Sequence, residues 1–326
     1  MSKKKLFLTL DTETATLPFI NELCSDAESK KKICIAKPLV YDIGWTISDR
    51  KGNIIEEKNF LVQETFFVPT VFNTAYYANK RPLYIDLLKK EKITCLTWNQ
   101  IIDILVADIN KVDAVTAYNA CFDFKKAIPF TETYIKNLYS DNYIKWEKEQ
   151  RKKCKEILNG GKSKNPDYLI PIFKLRNTSV PIIDLWNVAS ENLNHNKYKN
   201  FCLKNNLWTN SVQYFSTSAE SVYKYYTKNA DFEEQHTALD DAKIETEILT
   251  KALKKGKVEP QIKEFPFRKL GTTIDYVKTE RKYLDKIVTA LEEYLEVNNA
   301  FNLPKNGYWA RMIKMYDELT AESGIV

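Results

Sequence analysis

The run Lys5-Leu6-Phe7-Leu8-Thr9-Leu10-Asp11-Thr12-Glu13-Thr14 closes an apolar stretch on two carboxylates one residue apart. Side chains alternate along an extended strand, so Asp11 and Glu13 share a face. Carboxylates held that close repel each other unless a cation lies between them, and a divalent ion with oxygen ligands is the usual solution. A second stretch, Ala114-Val115-Thr116-Ala117-Tyr118-Asn119-Ala120-Cys121-Phe122-Asp123, reads as a short apolar strand, a polar break and the start of a helix carrying Asp123. A third, His236-Thr237-Ala238-Leu239-Asp240-Asp241-Ala242-Lys243-Ile244-Glu245, sets His236 and Asp241 on either side of a helix entry. The imidazole then hangs from the preceding loop while the carboxylate points in from the first turns. A base beside a metal cluster is the arrangement that activates a water.

Taken in this order, the three stretches resemble the signature of the DnaQ-like (DEDDh) 3′-to-5′ exonuclease superfamily. They match its Asp-x-Glu, Asn-x-x-Phe-Asp and His-x-Ala-x-x-Asp motifs, over about residues 5–255. The resemblance implies an RNase H-like α/β fold, a mixed five-stranded sheet flanked by helices. It makes Asp11, Glu13, Asp123 and Asp241 ligands of two Mg²⁺ or Mn²⁺ ions, and His236 the general base. Substrate contacts are expected at Thr12, Thr14, Leu17, Phe19, Asn119 and Phe122. An apolar side chain after the first motif packs on the terminal base in the resembling enzymes. For Leu17 and Phe19, that role competes with merely covering the sheet end. Many members carry a glycine where this chain has Ala15-Thr16-Leu17-Pro18-Phe19.

The implied activity is hydrolysis from a 3′ end, releasing nucleoside 5′-monophosphates. DNA, most simply single-stranded, is favoured by similarity to phage- and prophage-type members. Two other readings stay open: an exoribonuclease of the RNase T or oligoribonuclease sort, and a non-catalytic nucleic-acid-binding module of a replication complex.

The elements that must position these residues follow from pattern. Leu39–Ile47 and Ile54–Val62 read as the second and third strands, joined by a turn at Asp49-Arg50-Lys51-Gly52-Asn53, so an antiparallel meander opens the fold. Trp98, Ile101, Ile102, Leu105 and Ile109 recur at helical spacing behind a Thr97 cap. That helix carries the chain across to the second-motif strand, which should lie parallel to the first. Val180–Asn187 reads as the fifth strand running into a helix capped by Asp184. Ala242, Ile244, Glu245, Ile248, Leu249 and Leu253 form the third-motif helix, whose apolar side seals the sheet. Asp240 is rotated about 100° from Asp241 around it, toward solvent.

Several stretches keep two readings. Phe66–Lys92 mixes aromatics with Lys80 and Arg81, which suits either a substrate channel that stacks bases and meets phosphates or a packed loop. About residues 131–180 form an insertion, where Lys152, Lys153, Lys155, Lys162 and Lys164 make a DNA-tracking arm or a solvated helix and loop. The expected domain plan is residues 1–256 for the exonuclease domain and 257–326 for a linker and helical appendage, a place for a replication or polymerase partner.

The bulk numbers fit. A chain of 326 residues with 44% hydrophobic content can bury a sizeable core, and a net charge of +6 despite a carboxylate cluster suits a polyanionic ligand. There is no run of eighteen apolar residues and no signal-peptide pattern, so a cytoplasmic protein without a membrane partner is expected, in a bacterium or in the host of a phage. Its six scattered cysteines, without a Cys-x-x-Cys pair, read as free thiols. Of two histidines, His195 lies in a polar surface stretch, which leaves His236 as the candidate base.

Overall fold

In a computed structural model, the structure describes residues 5–160, 166–209, 213–256, 258–297 and 308–323. Lys162 and Lys164 of the basic stretch lie outside them. The chain forms two compact units, Met1–Ala189 with Glu233–Glu264, and Ser190–Phe232 with Phe265–Val326. The division does not fall at residue 256. Gln261 exchanges backbone hydrogen bonds with Ile182 and Asp184, which ties the stretch after 256 to the first unit. Residues 190–232 go with the C-terminal helices instead: the Thr273 N–H donates to Gln213, and Phe215 packs edge-on against Tyr276.

The first unit is built on a seven-stranded mixed sheet: β1 (Leu6–Ala15), β2 (Leu39–Asp49), β3 (Ile54–Val62), β4 (Thr94–Leu96), β5 (Ala114–Ala117), β6 (Ile172–Leu175) and β7 (Thr178–Asp184). Their spatial order is β4-β3-β2-β1-β5-β7-β6. β1, β2 and β3 form the expected antiparallel meander, and β5 lies parallel to β1 beyond the crossover helix Trp98–Ile109. That helix opens on a Thr97 capping box closed by Gln100. The count is seven strands, not five. β4 is only three residues long, too short for an alternation signal. β6 arises inside the insertion, as the outer half of a hairpin with β7.

Strand alternation divides the sheet into two chemically different faces. Leu8 and Leu10 of β1, with Tyr41, Ile43, Trp45 and Ile47 of β2, join the main core against the helices Trp98–Ile109 and Ile128–Leu138. The other face is polar where β1 and β2 run side by side. Thr9, Asp11 and Glu13 there stand opposite Thr46, Gly44 and Asp42. The helix Ala238–Lys255 covers this face. Its far end packs Leu249, Ala252 and Leu253 against Phe7, Ala114 and Ile183, and Thr246 bonds Thr46 at 2.6 Å.

The helix can lie this close because Gly44 has no side chain. A Cβ there would stand 2.4 Å from the Leu239 nitrogen and 2.7 Å from the Ala238 carbonyl carbon. At the hairpin, Gly52 has φ 86° and faces Thr250 in the same way.

The second unit is helical over the described residues. It includes His195–Lys204, Ala219–Thr227 capped by Ser218, Thr273–Thr279, Leu284–Val297 and Tyr308–Ser323. The stretch 274–297 is thus two helices, separated by a tight turn at Arg281–Tyr283. His195 bonds the Ser190 carbonyl at 3.0 Å within this unit. All six cysteines are free. No helix among the described residues is long and apolar enough to cross a membrane.

Candidate metal centre

The first motif sits where β1 leaves the centre of the sheet. Its pairing with β2 shifts register between Glu13 and Thr14, so the strand kinks directly after the second carboxylate. Glu13 stands opposite Asp42, which is fully buried. Asp42 accepts the Tyr84 hydroxyl at 2.9 Å and the Ala238 N–H at 3.0 Å. A buried carboxylate on the first N–H of a helix fixes that helix end and satisfies its dipole. Asp42 therefore anchors the third motif to β2. Burial pushes its carboxyl up to about 7.

Asp123 reaches the site from the other side of the sheet. After β5 the chain turns at Asn119, which adopts the left-handed conformation (φ 62°, ψ 49°) that asparagine tolerates better than most residues. The Asn119 side chain makes no capping bond; the turn is tied instead through backbone. Asp184, at the end of β7, accepts the N–H of Trp186 at 3.1 Å together with those of Asn119, Ala120 and Asn187. It caps the following helix, as expected, and also stitches β7 to the second motif. Asp123 then opens a wide π-type turn, Asp123–Ala127, that runs into the helix Ile128–Leu138. It is 2% exposed, and the Thr12 hydroxyl donates to its Oδ1 at 2.6 Å. Thr12 thus positions a carboxylate.

His236 has φ 51°, again left-handed, just before the N-cap Thr237. Its backbone N–H donates to the Asp241 carboxylate. The imidazole Nδ1 lies 3.7 Å from Glu234 Oε2 and 3.8 Å from Asp241 Oδ2. Two contacts from the segment between β3 and β4 fasten this loop. The Tyr77 ring stacks on the imidazole at 4.5 Å and 16° between planes. Lys80 Nζ bonds the Gln235 carbonyl and lies 4.6 Å over the Tyr77 ring. The Phe66–Lys92 stretch is therefore a packed wall whose Tyr77 and Lys80 face the site. Asp240 accepts the Thr237 hydroxyl at 2.7 Å, and its charge adds to the burial that raises Asp241.

One ligand atom each from Glu13, His236 and Asp241 lies within 4.8 Å of the others. Around this triad the carboxylates crowd one another. Burial, then the charges of Glu245, Asp123, Asp241 and Glu13, holds Asp11 well above the usual carboxylate range. Burial and Asp241 raise Glu13, which Lys80 opposes. Burial pushes Asp123 and Asp241 up to about 7. Asp241 Oδ1 is buried and makes no hydrogen bond among the described residues. Excess negative charge, hard oxygen donors and an unsatisfied buried oxygen all fit a divalent cation.

Glu245 is the member that the motifs do not contain. It lies one helical turn beyond Asp241, is 2% exposed, and accepts the Tyr118 N–H at 3.0 Å. Burial and the charge of Asp123 raise its carboxyl well above the ordinary value. The i, i+4 spacing from Asp241 is the signal that could have found it.

Among the expected substrate contacts, Thr14 is half-buried beside Val40, and Phe122 is half-buried against the main core. Leu17 and Phe19 are core residues, 0% and 2% exposed, and the Arg151 guanidinium covers the Phe19 ring at 4.2 Å. That burial leaves neither side chain a free face for a base.

No protein-family model, curated protein or solved structure matches this chain.

Proposed function

We propose that the chain is a metal-dependent 3′-to-5′ exonuclease of the DnaQ-like (DEDDh) type, with DNA ends as its substrate. The observation that carries this reading is the convergence of Glu13, His236 and Asp241, from opposite ends of the first unit, on a space of 4.8 Å. Asp11, Asp123 and Glu245 add charge around it. The mixed seven-stranded sheet flanked by helices is compatible with the α/β fold that the motif resemblance implies.

Mg²⁺ or Mn²⁺ held by Asp11, Glu13, Asp123 and Asp241 would supply Lewis acidity toward the attacking water and the leaving 3′ oxygen. The chain's own residues do the rest. His236 takes the proton of the attacking water, and Glu234 and Asp241, facing Nδ1, stabilise the imidazolium that results. Tyr77 and Lys80 hold the imidazole in place during that transfer. Lys80 also brings positive charge beside Glu13 and Asp241, where a substrate phosphate would enter.

The test uses 5′-labelled single-stranded DNA and a matched RNA, in Mg²⁺, Mn²⁺ or EDTA, with wild type and Asp11→Ala. The expected result is a metal-dependent ladder that shortens from the 3′ end, faster on DNA, and is lost in the variant. Faster shortening of RNA would reassign the substrate. An intact substrate in every lane would overturn the nuclease reading in favour of a binding module.

A further inference from the structure

We infer that Glu13, His236 and Asp241 form a zinc-class cation site that shares Glu13 and Asp241 with the proposed nuclease centre and silences it by taking the general base as a ligand. The inference deepens the nuclease reading and rests on it for its consequence, though not for the binding itself.

The donor set is the first ground. Two carboxylate oxygens and an imidazole nitrogen make a mixed N/O site, whereas Mg²⁺ prefers oxygen alone. Imidazole suits the later first-row dications, and affinity for such sites rises toward the end of that row. Proposed as a base, His236 needs a free nitrogen lone pair. With Nδ1 facing the carboxylates, the other ring nitrogen is the base; ligation through Nδ1 would leave the imidazole's remaining proton on that nitrogen and so remove its lone pair.

Geometry is the second ground. Zn²⁺ binds nitrogen and oxygen at about 2.0–2.2 Å in tetrahedral sites, which places neighbouring donors about 3.4 Å apart. His236 Nδ1 and Asp241 Oδ2 already stand 3.8 Å apart. The three ligand atoms, Glu13 included, lie within 4.8 Å of one another, so reaching tetrahedral spacing takes side-chain adjustments of up to about 1.4 Å.

The third ground is preorganisation and an unsatisfied donor. The Tyr77 ring and the Lys80–Gln235 bond fasten the imidazole from outside the cluster. The helix Ala238–Lys255 presents Asp241, 9% exposed, with Oδ1 buried and unpartnered among the described residues. A site whose ligands are already ordered binds without a large ordering cost.

The experiment titrates Zn²⁺ into metal-free, full-length wild type and His236→Gln. Binding is followed by calorimetry, and the histidine ring resonances by NMR. Only two histidines exist, and His195 in the second unit serves as the internal reference. One equivalent of Zn²⁺ should shift or broaden the His236 signals and spare His195, while millimolar Mg²⁺ should leave the Zn²⁺-type change absent. Affinity should fall at least tenfold in His236→Gln, a comparison that also separates this site from the thiols. In the nuclease assay, micromolar Zn²⁺ should suppress the Mg²⁺-supported ladder, and a chelator should restore it. Equal Zn²⁺ affinity in His236→Gln, or unmoved His236 signals with Zn²⁺ bound, would overturn the inference. Zinc binding through His236 in a chain that cuts nothing would overturn the nuclease reading and leave the site standing.

Discussion

Asp11 and Gly44 are register partners across β1 and β2, and the absence of a side chain at Gly44 sets how near the third motif comes to the first. The Ala238 and Leu239 backbone occupies the space a Cβ would need. Gly44→Ala should therefore push the helix start outward and separate Asp241 from Asp11 and Glu13. Overpacking of this kind costs about 1–3 kcal/mol. The expected outcome is a folded protein with a lowered Tm and a hydrolysis rate down by roughly a hundredfold, since small misplacements of reacting groups carry that penalty. Wild-type rates in Gly44→Ala would mean that the close approach is unimportant.

Glu245 offers a contrast between charge and hydrogen bonding. Glu245→Gln keeps an acceptor for the Tyr118 N–H and removes one charge from a crowded buried cluster. In EDTA it should be at least as stable as wild type, while needing several-fold more Mn²⁺ for half-maximal activity. Glu245→Ala removes the carboxylate that accepts the Tyr118 N–H, at a cost of about 1–3 kcal/mol. Calorimetric Mn²⁺ titrations and thermal melts of the two variants separate these effects; identical behaviour of both would refute the distinction.

Tyr77 is expected to act on the rate through the imidazole that it covers. Aromatic pairs are worth about 0.5–1.5 kcal/mol, or roughly 2- to 12-fold in the population of the stacked pose. Tyr77→Phe keeps the ring and should stay near wild type. Tyr77→Ala should lower kcat by about that factor with little change in KM, and should remove the ring-current shift of the His236 resonances. Equal kcat values for the two variants would assign the tyrosine to packing alone.

Stability of the metal-free protein should fall as pH rises. Asp42, Asp123 and Asp241 have folded values pushed up to about 7, against about 3.9 in an unfolded chain. Between these values the folded state binds more protons than the unfolded one, so unfolding free energy decreases from about pH 4 to pH 7 and then levels off. Each tenfold change in proton affinity is about 1.4 kcal/mol, and each kcal/mol is about 2–4 °C of Tm at this size. Melts in EDTA at pH 5 and pH 8 should differ in that direction, and Mn²⁺ should raise the Tm more at pH 8. A Tm in EDTA that climbs with pH would contradict the crowded-carboxylate picture.

Much of the site's frame can be read from residue pattern. The apolar run ending at Asp11 and Glu13 is β1, the Asp49–Asn53 turn joins β2 to β3, and the helix with its Thr97 cap carries the chain to β5. These signals are local: a strand period, a turn and a cap. What pattern alone misses depends on cross-chain partners. Asp42 reads as one polar residue in a buried strand until β2 places it opposite Glu13 and under Ala238. Tyr77 lies in a segment without periodicity, and only the folded chain brings it to His236. Glu245 is masked by the charged residues around it, Lys243 and Glu247 among them. The division of the chain at residues 190–232 leaves no compositional trace, because both units are helix-bearing and rich in Lys and Tyr.

The interleaving of the two units also sets a timetable. A chain made from its N-terminus completes β1 through β7, with Asp11, Glu13 and Asp123, before His236 and Asp241 exist. Residues 190–232 intervene, adding roughly 2–9 s at about 5–20 residues per second of synthesis. On the proposed reading, a nascent or prematurely terminated product carries the acidic half of the centre without its base or its last ligand. On that reading the order of the segments along the chain acts as a safeguard: hydrolytic competence would arrive only once His236 and Asp241, and with them most of the polypeptide, have been made.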